Sequence, residues 1–256
     1  MSSAAQPEQP VPATQLNGAM AADPRPVICV FCGASSGTSP KHLEAARSLA
    51  QALHANNMRL VYGGGTVGLM GEVARTLVSL SGPDAVHGII PAALVKLEQN
   101  YEKVMEEQQQ NGSADNNGEV LNGPGPRNVI DEKIYGRTTI VKDMHTRKSM
   151  MAQEVIAGGP GGGFVALSGG YGTMEELMEV TTWNQLGIHN RGVVVFNVDG
   201  YYDGLISWVK NAVTSGFVSP TCAGILVEAL SAEEVIQCLQ EYKNAEGRFK
   251  LNWNEN

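Results

Sequence analysis

With 256 residues, 43% of them apolar and all three aromatic types present, the chain can build one large hydrophobic core. A formal net charge of -8 excludes a broad polyanion-binding surface, so no nucleic acid polymer is expected as a partner, while a local basic pocket for one phosphate stays open. No run reaches the roughly 20 apolar residues of a membrane span, and four cysteines do not make a disulfide framework, so a cytoplasmic protein without a membrane partner is expected.

Residues 1–25 are rich in Ala, Pro, Gln and Ser and lack both a basic start and an apolar h-region, so they read as a disordered tail and not a signal peptide. Val27 to Phe31 predicts a strand. Ser39 as N-cap and Pro40 at N1 then open a helix over about 40–56. A strand at Arg59 to Tyr62, a helix over about 67–80 and a strand at Val86 to Ile90 follow. The stretch 108–127 has few apolar residues and many Gly, Asn and Pro, and reads as a mobile surface insertion. Beyond it come a strand at Thr138 to Val141, a helix over about 143–157 that Asp143 could start, and a Gly-rich connection from Ala157 to Phe164 that looks lengthened and flexible. The chain continues with a strand at Phe164 to Leu167, a helix over about 173–187, a strand at Gly192 to Asn197, helices over about 202–215 and 231–243, and a tail over 246–256. Such alternation predicts βαβ units: a single α/β domain over 26–245, with a doubly wound, Rossmann-like parallel sheet covered on both faces.

Cys29 and Cys32 form a CxxC, yet they lie inside and at the end of an apolar strand with no second CxxC. A redox pair usually opens a helix, where the dipole lowers a thiol pKa, so core packing is the better reading and no metal is expected.

In an open parallel sheet, ligands bind beyond the carboxyl ends of the strands. Three glycine-rich turns fall there: CGASSG (Cys32 to Gly37), YGGGTVGLMG (Tyr62 to Gly71) and SGGYGTMEE (Ser168 to Glu176). Gly63, Gly65 and Gly68 have GxGxxG spacing, but the next strand ends without the acid a dinucleotide's ribose needs, and no Lys-Ser/Thr pair completes a Walker A loop. In the third turn Gly169, Gly170 and Gly172 let the backbone approach a ligand, and Thr173 can cap the helix and offer its hydroxyl to the same anion. Glu175 and Glu176 point about 100° apart, so at most one faces the crevice squarely, and periodicity leaves the choice open. Upstream, Arg147 and Lys148 sit near a helix N-terminus, where cations oppose the dipole and a bound anion would remove the conflict; His145 reads as a hydrogen-bonded structural residue.

The segments DMHTRK, SGGYGTMEEL, YGGGTVGLMG and TTWNQLGIHNRGVVVFNVDGYYDGL together resemble the LONELY GUY (LOG) family, cytokinin-activating phosphoribohydrolases long labelled "possible lysine decarboxylase", from about Val27 to Phe217. The resemblance implies a Rossmann-like nucleotide hydrolase that needs no cofactor, forms homodimers or larger assemblies, and cleaves N6-modified AMP to the free base and ribose 5-phosphate. By position it puts the catalytic groups on Arg147 and Glu176. It makes Gly169, Gly170, Tyr171, Gly172, Thr173, Met174, Glu175, Lys148 and Met144 substrate-binding candidates, with Glu98 and Thr182 as further carry-overs, Gly64 and Ser35 from the other two turns, and a site near a subunit interface. Ser168 departs from the family's Pro, and the Gly-rich insertion lengthens the spacing between Arg147 and Glu176. Nothing marks a Schiff-base lysine for pyridoxal phosphate. Two other functions fit the same crevice: a broader AMP or mononucleotide nucleosidase, and a carrier of a phosphorylated cofactor such as molybdenum cofactor, against which the presence of both Arg147 and Glu176 speaks.

Overall fold

A computed structural model describes residues 25–95 and 130–253. The expected tail up to residue 24, the insertion at 108–127 and Glu98 lie outside the described residues. Seven parallel strands form one sheet: β1 (Val27–Phe31), β2 (Arg59–Tyr62), β3 (Val86–Pro91), β4 (Arg137–Val141), β5 (Gly163–Ala166), β6 (Gly192–Phe196) and β7 (Leu226–Ala229). Their order is β4-β3-β2-β1-β5-β6-β7. The chain winds outward from β1 to one edge, returns to lay β5 against β1, and winds outward again. The switch point is therefore the β1–β5 seam, where Ile28 pairs with Gly163 and Phe31 with Ala166.

The central strands β1, β5 and β6 are buried on both faces, because successive side chains of an apolar run point to opposite sides. Ile28, Val30, Leu60, Val165 and Val194 pack under α1 (Pro40–Ala55), α2 (Gly68–Ser81) and the last helix (Ala232–Gln240). Val27, Cys29, Phe31, Phe164 and Val193 pack on the other face with residues of Met144–Ala157 and Tyr171–Gln185. Further along the chain come α3 (Glu132–Tyr135), α4 (Met144–Ala157), α5 (Tyr171–Gln185), α6 (Asp203–Thr214) and α7 (Ala232–Gln240). All four cysteines are free, and Cys29 and Cys32 are core residues as expected. Among the described residues no helix is long and apolar enough to cross a membrane.

Among the elements unforeseen in the sequence are β7 and α3. The strand β7 is short, half-exposed and interrupted by Glu228, whose carboxylate accepts a hydrogen bond from Asn197 Nδ2 at 2.5 Å. The single turn α3 is held by Asp131, which accepts from Lys133 N at 2.9 Å. The Gly-rich connection after α4 is also not the loose segment expected. Arg191 donates to the carbonyls of Ile156, Gly158 and Gly159, and fastens it at the end of β5 away from the switch point. Beyond 245 the chain still packs: Phe249 N donates to Gln185 O at 2.8 Å and Arg248 Nε to Asn184 O at 2.8 Å.

Candidate active site

The loops after β1 and β5 meet at the switch point and are locked by Gly33. Its N–H donates to Ser168 O at 3.0 Å, and its carbonyl accepts from Leu69 N at 3.1 Å and Met70 N at 3.4 Å, which closes the otherwise uncapped start of α2. This approach explains Gly68: at a φ of +60°, a Cβ there would come within 2.3 Å of the Ala34 carbonyl carbon. The start of α5 is different. Gly170 is its N-cap, no side chain closes it, and the helix begins at Tyr171, two residues earlier than expected. Thr173 is consequently not the cap. It lies buried in the first turn, and its Oγ1 sits so close beneath Gly169 that a Cβ on that glycine would come within 2.1 Å of it. The first amides of α5 thus form an open donor set of the kind that binds anions.

Two compartments open there. The outer, about 540 Å³, is lined by Gly33 to Gly37, His42, Leu69, Ser168 to Gly170 and Tyr201. The inner, about 270 Å³, shares Gly33, Ala34 and Gly170 with it and adds Gly63, Met70, Gly172, Thr173 and the two charged groups Arg147 and Glu176. Asp143 caps α4 as expected, accepting from Thr146 N at 2.7 Å, and this sets Arg147 on the second turn facing α5.

Arg147 Nη2 donates to Glu176 Oε1, and both side chains are about nine-tenths buried. Glu175 points outward, 53% exposed, and is paired with Lys148, which also reaches Glu179 at 3.2 Å. The geometry therefore separates the two adjacent acids: Glu176 lines the crevice and Glu175 does not. Burial raises the pKa of Glu176, and the charge and hydrogen bond of Arg147 only partly offset it. Burial lowers the ammonium pKa of Lys148, but its hydrogen bonds to Glu175 and Glu179 outweigh this, so the net shift is upward. Arg147 Nε–H is buried with no partner among the described residues, and Glu176 Oε2 has no hydrogen-bond partner among them either. A buried ion pair is weak evidence for stability, so this one, left incomplete in a cavity, reads as a functional group.

Of the sequence candidates, the crevice gathers Arg147, Glu176, Ser35, Gly169, Gly170, Gly172 and Thr173. Others fall outside it in a single chain. Gly64 packs against Ile90, and its neighbour Gly63 takes the lining position, where the Arg147 guanidinium lies against the backbone. Lys148 and Glu175 neutralise each other beside the crevice, Met174 packs on the core, and Met144 and Tyr171 are exposed, Tyr171 almost completely. Thr182 lies further along α5, where its hydroxyl donates to Met178 O and it lines a separate groove with Trp208. His145 is exposed and makes no hydrogen bond among the described residues, contrary to the expected structural role. Missed were His42, Ser168, Met70 and Tyr201, whose Oη donates to Gly169 O at 2.5 Å. Ser168 and Met70 lie within turns already singled out in the sequence, whereas His42 and Tyr201 come from separate elements that only the sheet order brings together. No cluster that could hold a metal ion occurs among the described residues.

A family model described as "Possible lysine decarboxylase" matches residues 70–239. Cytokinin riboside 5'-monophosphate phosphoribohydrolase LOG7 of Arabidopsis thaliana is 41% identical over 230 residues, covering 89% of this chain and 88% of that protein. The chain belongs to the LOG family. A bifunctional cytokinin biosynthesis protein of Fusarium pseudograminearum is 51% identical over 234 residues, 90% of this chain but 43% of that protein, so the chain spans less than half of this relative. Among solved structures, the molybdenum cofactor carrier protein of Chlamydomonas reinhardtii aligns with a TM-score of 0.51 at 16% identity, over 84% of this chain and 96% of that one. At that identity the LOG chain shares the fold with the carrier.

Proposed function

We infer that the protein is a phosphoribohydrolase that cleaves the N-glycosidic bond of cytokinin riboside 5'-monophosphates, giving the free base and ribose 5-phosphate. The observation that carries this is the buried Arg147–Glu176 pair on the floor of the switch-point crevice, in a chain of the LOG family. The outer compartment, about 540 Å³, has the size of a small-molecule site, about 300 to 1,000 Å³, and the inner one adds about 270 Å³. In this reading the amides of Gly169, Gly170 and the first turn of α5, with Ser35, hold the 5'-phosphate, and the ribose reaches into the inner compartment.

Breaking the bond leaves positive charge on the sugar and sends the electron pair onto the purine. Glu176 stands at the sugar end. Its carboxylate stabilises the oxocarbenium-like transition state and takes a proton from the water that attacks the anomeric carbon, and that proton passes through solvent water to the departing purine, which leaves as the neutral base. Burial favours this role, since a carboxylate with a raised pKa is a better base. An arginine stays charged at any working pH, so Arg147 serves as an electrostatic partner to the leaving purine or the phosphate and holds Glu176 in place. Phosphate binding supplies remote energy that positions the reacting bond. Among the described residues no lysine near the crevice suits a decarboxylase: Lys148 is kept protonated by two carboxylates, the opposite of a Schiff-base amine.

We further propose a cytoplasmic homodimer or larger assembly whose partner copy covers the crevice mouth. The free cysteines suit a reducing compartment, and Tyr171, Phe217 and Trp208 leave large apolar surfaces uncovered on one chain. Incubating the protein with isopentenyl-AMP and with AMP, and measuring ribose 5-phosphate release, tests the reading. Release from the N6-modified nucleotide well above that from AMP is expected; equal rates mean a broad nucleosidase, and release from neither overturns the assignment.

A further inference from the structure

Among the described residues the outer compartment has no lysine or arginine in its wall, and the one basic side chain there is His42, on the first turn of α1. Ser168 Oγ and His42 Nδ1 are 2.9 Å apart. Ser168 is itself buried, and its carbonyl receives the Gly33 amide that joins the two loops. The ring is bounded further by Tyr201, edge-on with centroids 5.8 Å apart, and by Gly37, where a Cβ would stand 3.0 Å from His42 Cδ2. The nearby Lys41 is bound to Asp199 at 2.5 Å and does not line the compartment. The remaining ring nitrogen, Nε2, has no hydrogen-bond partner among the described residues.

A neutral imidazole carries one N–H, and the partner of one nitrogen decides where it sits. When the Ser168 hydroxyl donates to Nδ1, the hydrogen is on Nε2; a proline at that position, as in the family pattern, could not do this. Resting on the phosphoribohydrolase reading above, we propose that His42, positioned by Ser168, donates Nε2–H to a phosphoryl oxygen of the substrate and thereby sets the preference for nucleotide over nucleoside. Ser168 is a positioning residue that acts through the hydrogen bond between its hydroxyl and the imidazole.

The test compares kcat and KM for isopentenyl-AMP and isopentenyladenosine in wild type, His42→Ala, His42→Gln, Ser168→Ala and Ser168→Pro, together with the Kd of ribose 5-phosphate. Loss of one hydrogen bond to a charged group predicts that His42→Ala raises the nucleotide KM and the ribose 5-phosphate Kd about tenfold. kcat should move far less, and the nucleotide-to-nucleoside ratio of kcat/KM should narrow by the same factor. His42→Gln should recover part of the loss, and Ser168→Ala and Ser168→Pro should each cost about threefold in KM as the tautomer is released. Equal losses on nucleotide and nucleoside, or no change in KM, would overturn the proposal; an unaltered Ser168→Ala beside a weakened His42→Ala would overturn the positioning role. If His42→Ala does not fold, the wild-type protein decides. Nitrogen-15 spectra of its five histidines should show one fixed in the Nε2–H form when ribose 5-phosphate binds, and no change at any of them contradicts the idea. Should wild type release no base from any nucleotide, the proposed activity falls, yet ribose 5-phosphate binding and its dependence on His42 still answer this question.

Discussion

Glu175 and Glu176 are neighbours in sequence and opposites in environment. One is half-exposed and paired with Lys148, and the other is buried against Arg147. Replacing Glu176 by Gln keeps the shape and removes the charge, so kcat should fall at least about 100-fold, while Glu175→Gln should cost about threefold or less. Equal losses in a steady-state assay contradict the assignment. Burial raises the pKa of Glu176 against the opposing Arg147, so the carboxylate ionises at a higher pH than an ordinary glutamate. Activity that needs the carboxylate is then lost as pH falls through that raised value, and the acid limb of the kcat/KM profile should lie above about 4.3, the usual glutamate pKa. Arg147→Gln removes the lowering influence, so carbon-13 titration of Glu176 in that variant should move further up; a downward move would contradict the electrostatics. For folding, the sign is opposite: the contribution of Glu176 is full below its unfolded pKa and is lost as pH rises through the folded one. Sequence periodicity could not separate the two acids, since the choice depends on α4 lying beside α5. It missed His42 for the same reason, and it chose Gly64 over Gly63 because both look alike until Arg147 is placed against one of them.

At the scale of elements, the alternation of apolar strands and capped helices was legible because each signal is local: Ser39 and Asp143 cap where expected. β7 was hidden because an edge strand with one exposed face and a charged residue lacks the apolar run of a central strand. The start of α5 was misplaced because an uncapped helix opening on glycine carries no start signal; the same missing cap leaves its amides open to a ligand. The α1–α2 pair rests partly on Glu72, a buried carboxylate held by Arg47 and Arg75. Burial alone would raise its pKa, but hydrogen bonds and charge from Arg75 and Arg47 outweigh this and lower it. That stability is present above the unfolded pKa and is lost as pH falls through the folded one. Because both arginines are half-exposed, Glu72→Gln should cost only about 1 to 2 kcal/mol at neutral pH by denaturant unfolding. The difference from wild type should shrink toward pH 3; a gap that persists there contradicts the linkage.

The whole molecule explains why chemistry gathers at one seam. Outward winding in both directions leaves one place, between β1 and β5, where two strand ends and the starts of α2 and α5 converge. The Gly-rich insertion that lengthens the path from Arg147 to Glu176 lies at the opposite end of β5, so it leaves their contact intact. The central claim is that the open amides at the start of α5 seat the 5'-phosphate while Glu176 meets the sugar. The most direct test is a crystal structure of the Glu176→Gln variant with intact isopentenyl-AMP. The account predicts the phosphoryl group on the Gly169–Thr173 amides and the residue-176 side chain about 3 to 3.5 Å from the anomeric carbon or joined to it by one water. A phosphoryl group seated elsewhere, or a sugar beyond reach of residue 176, would contradict it.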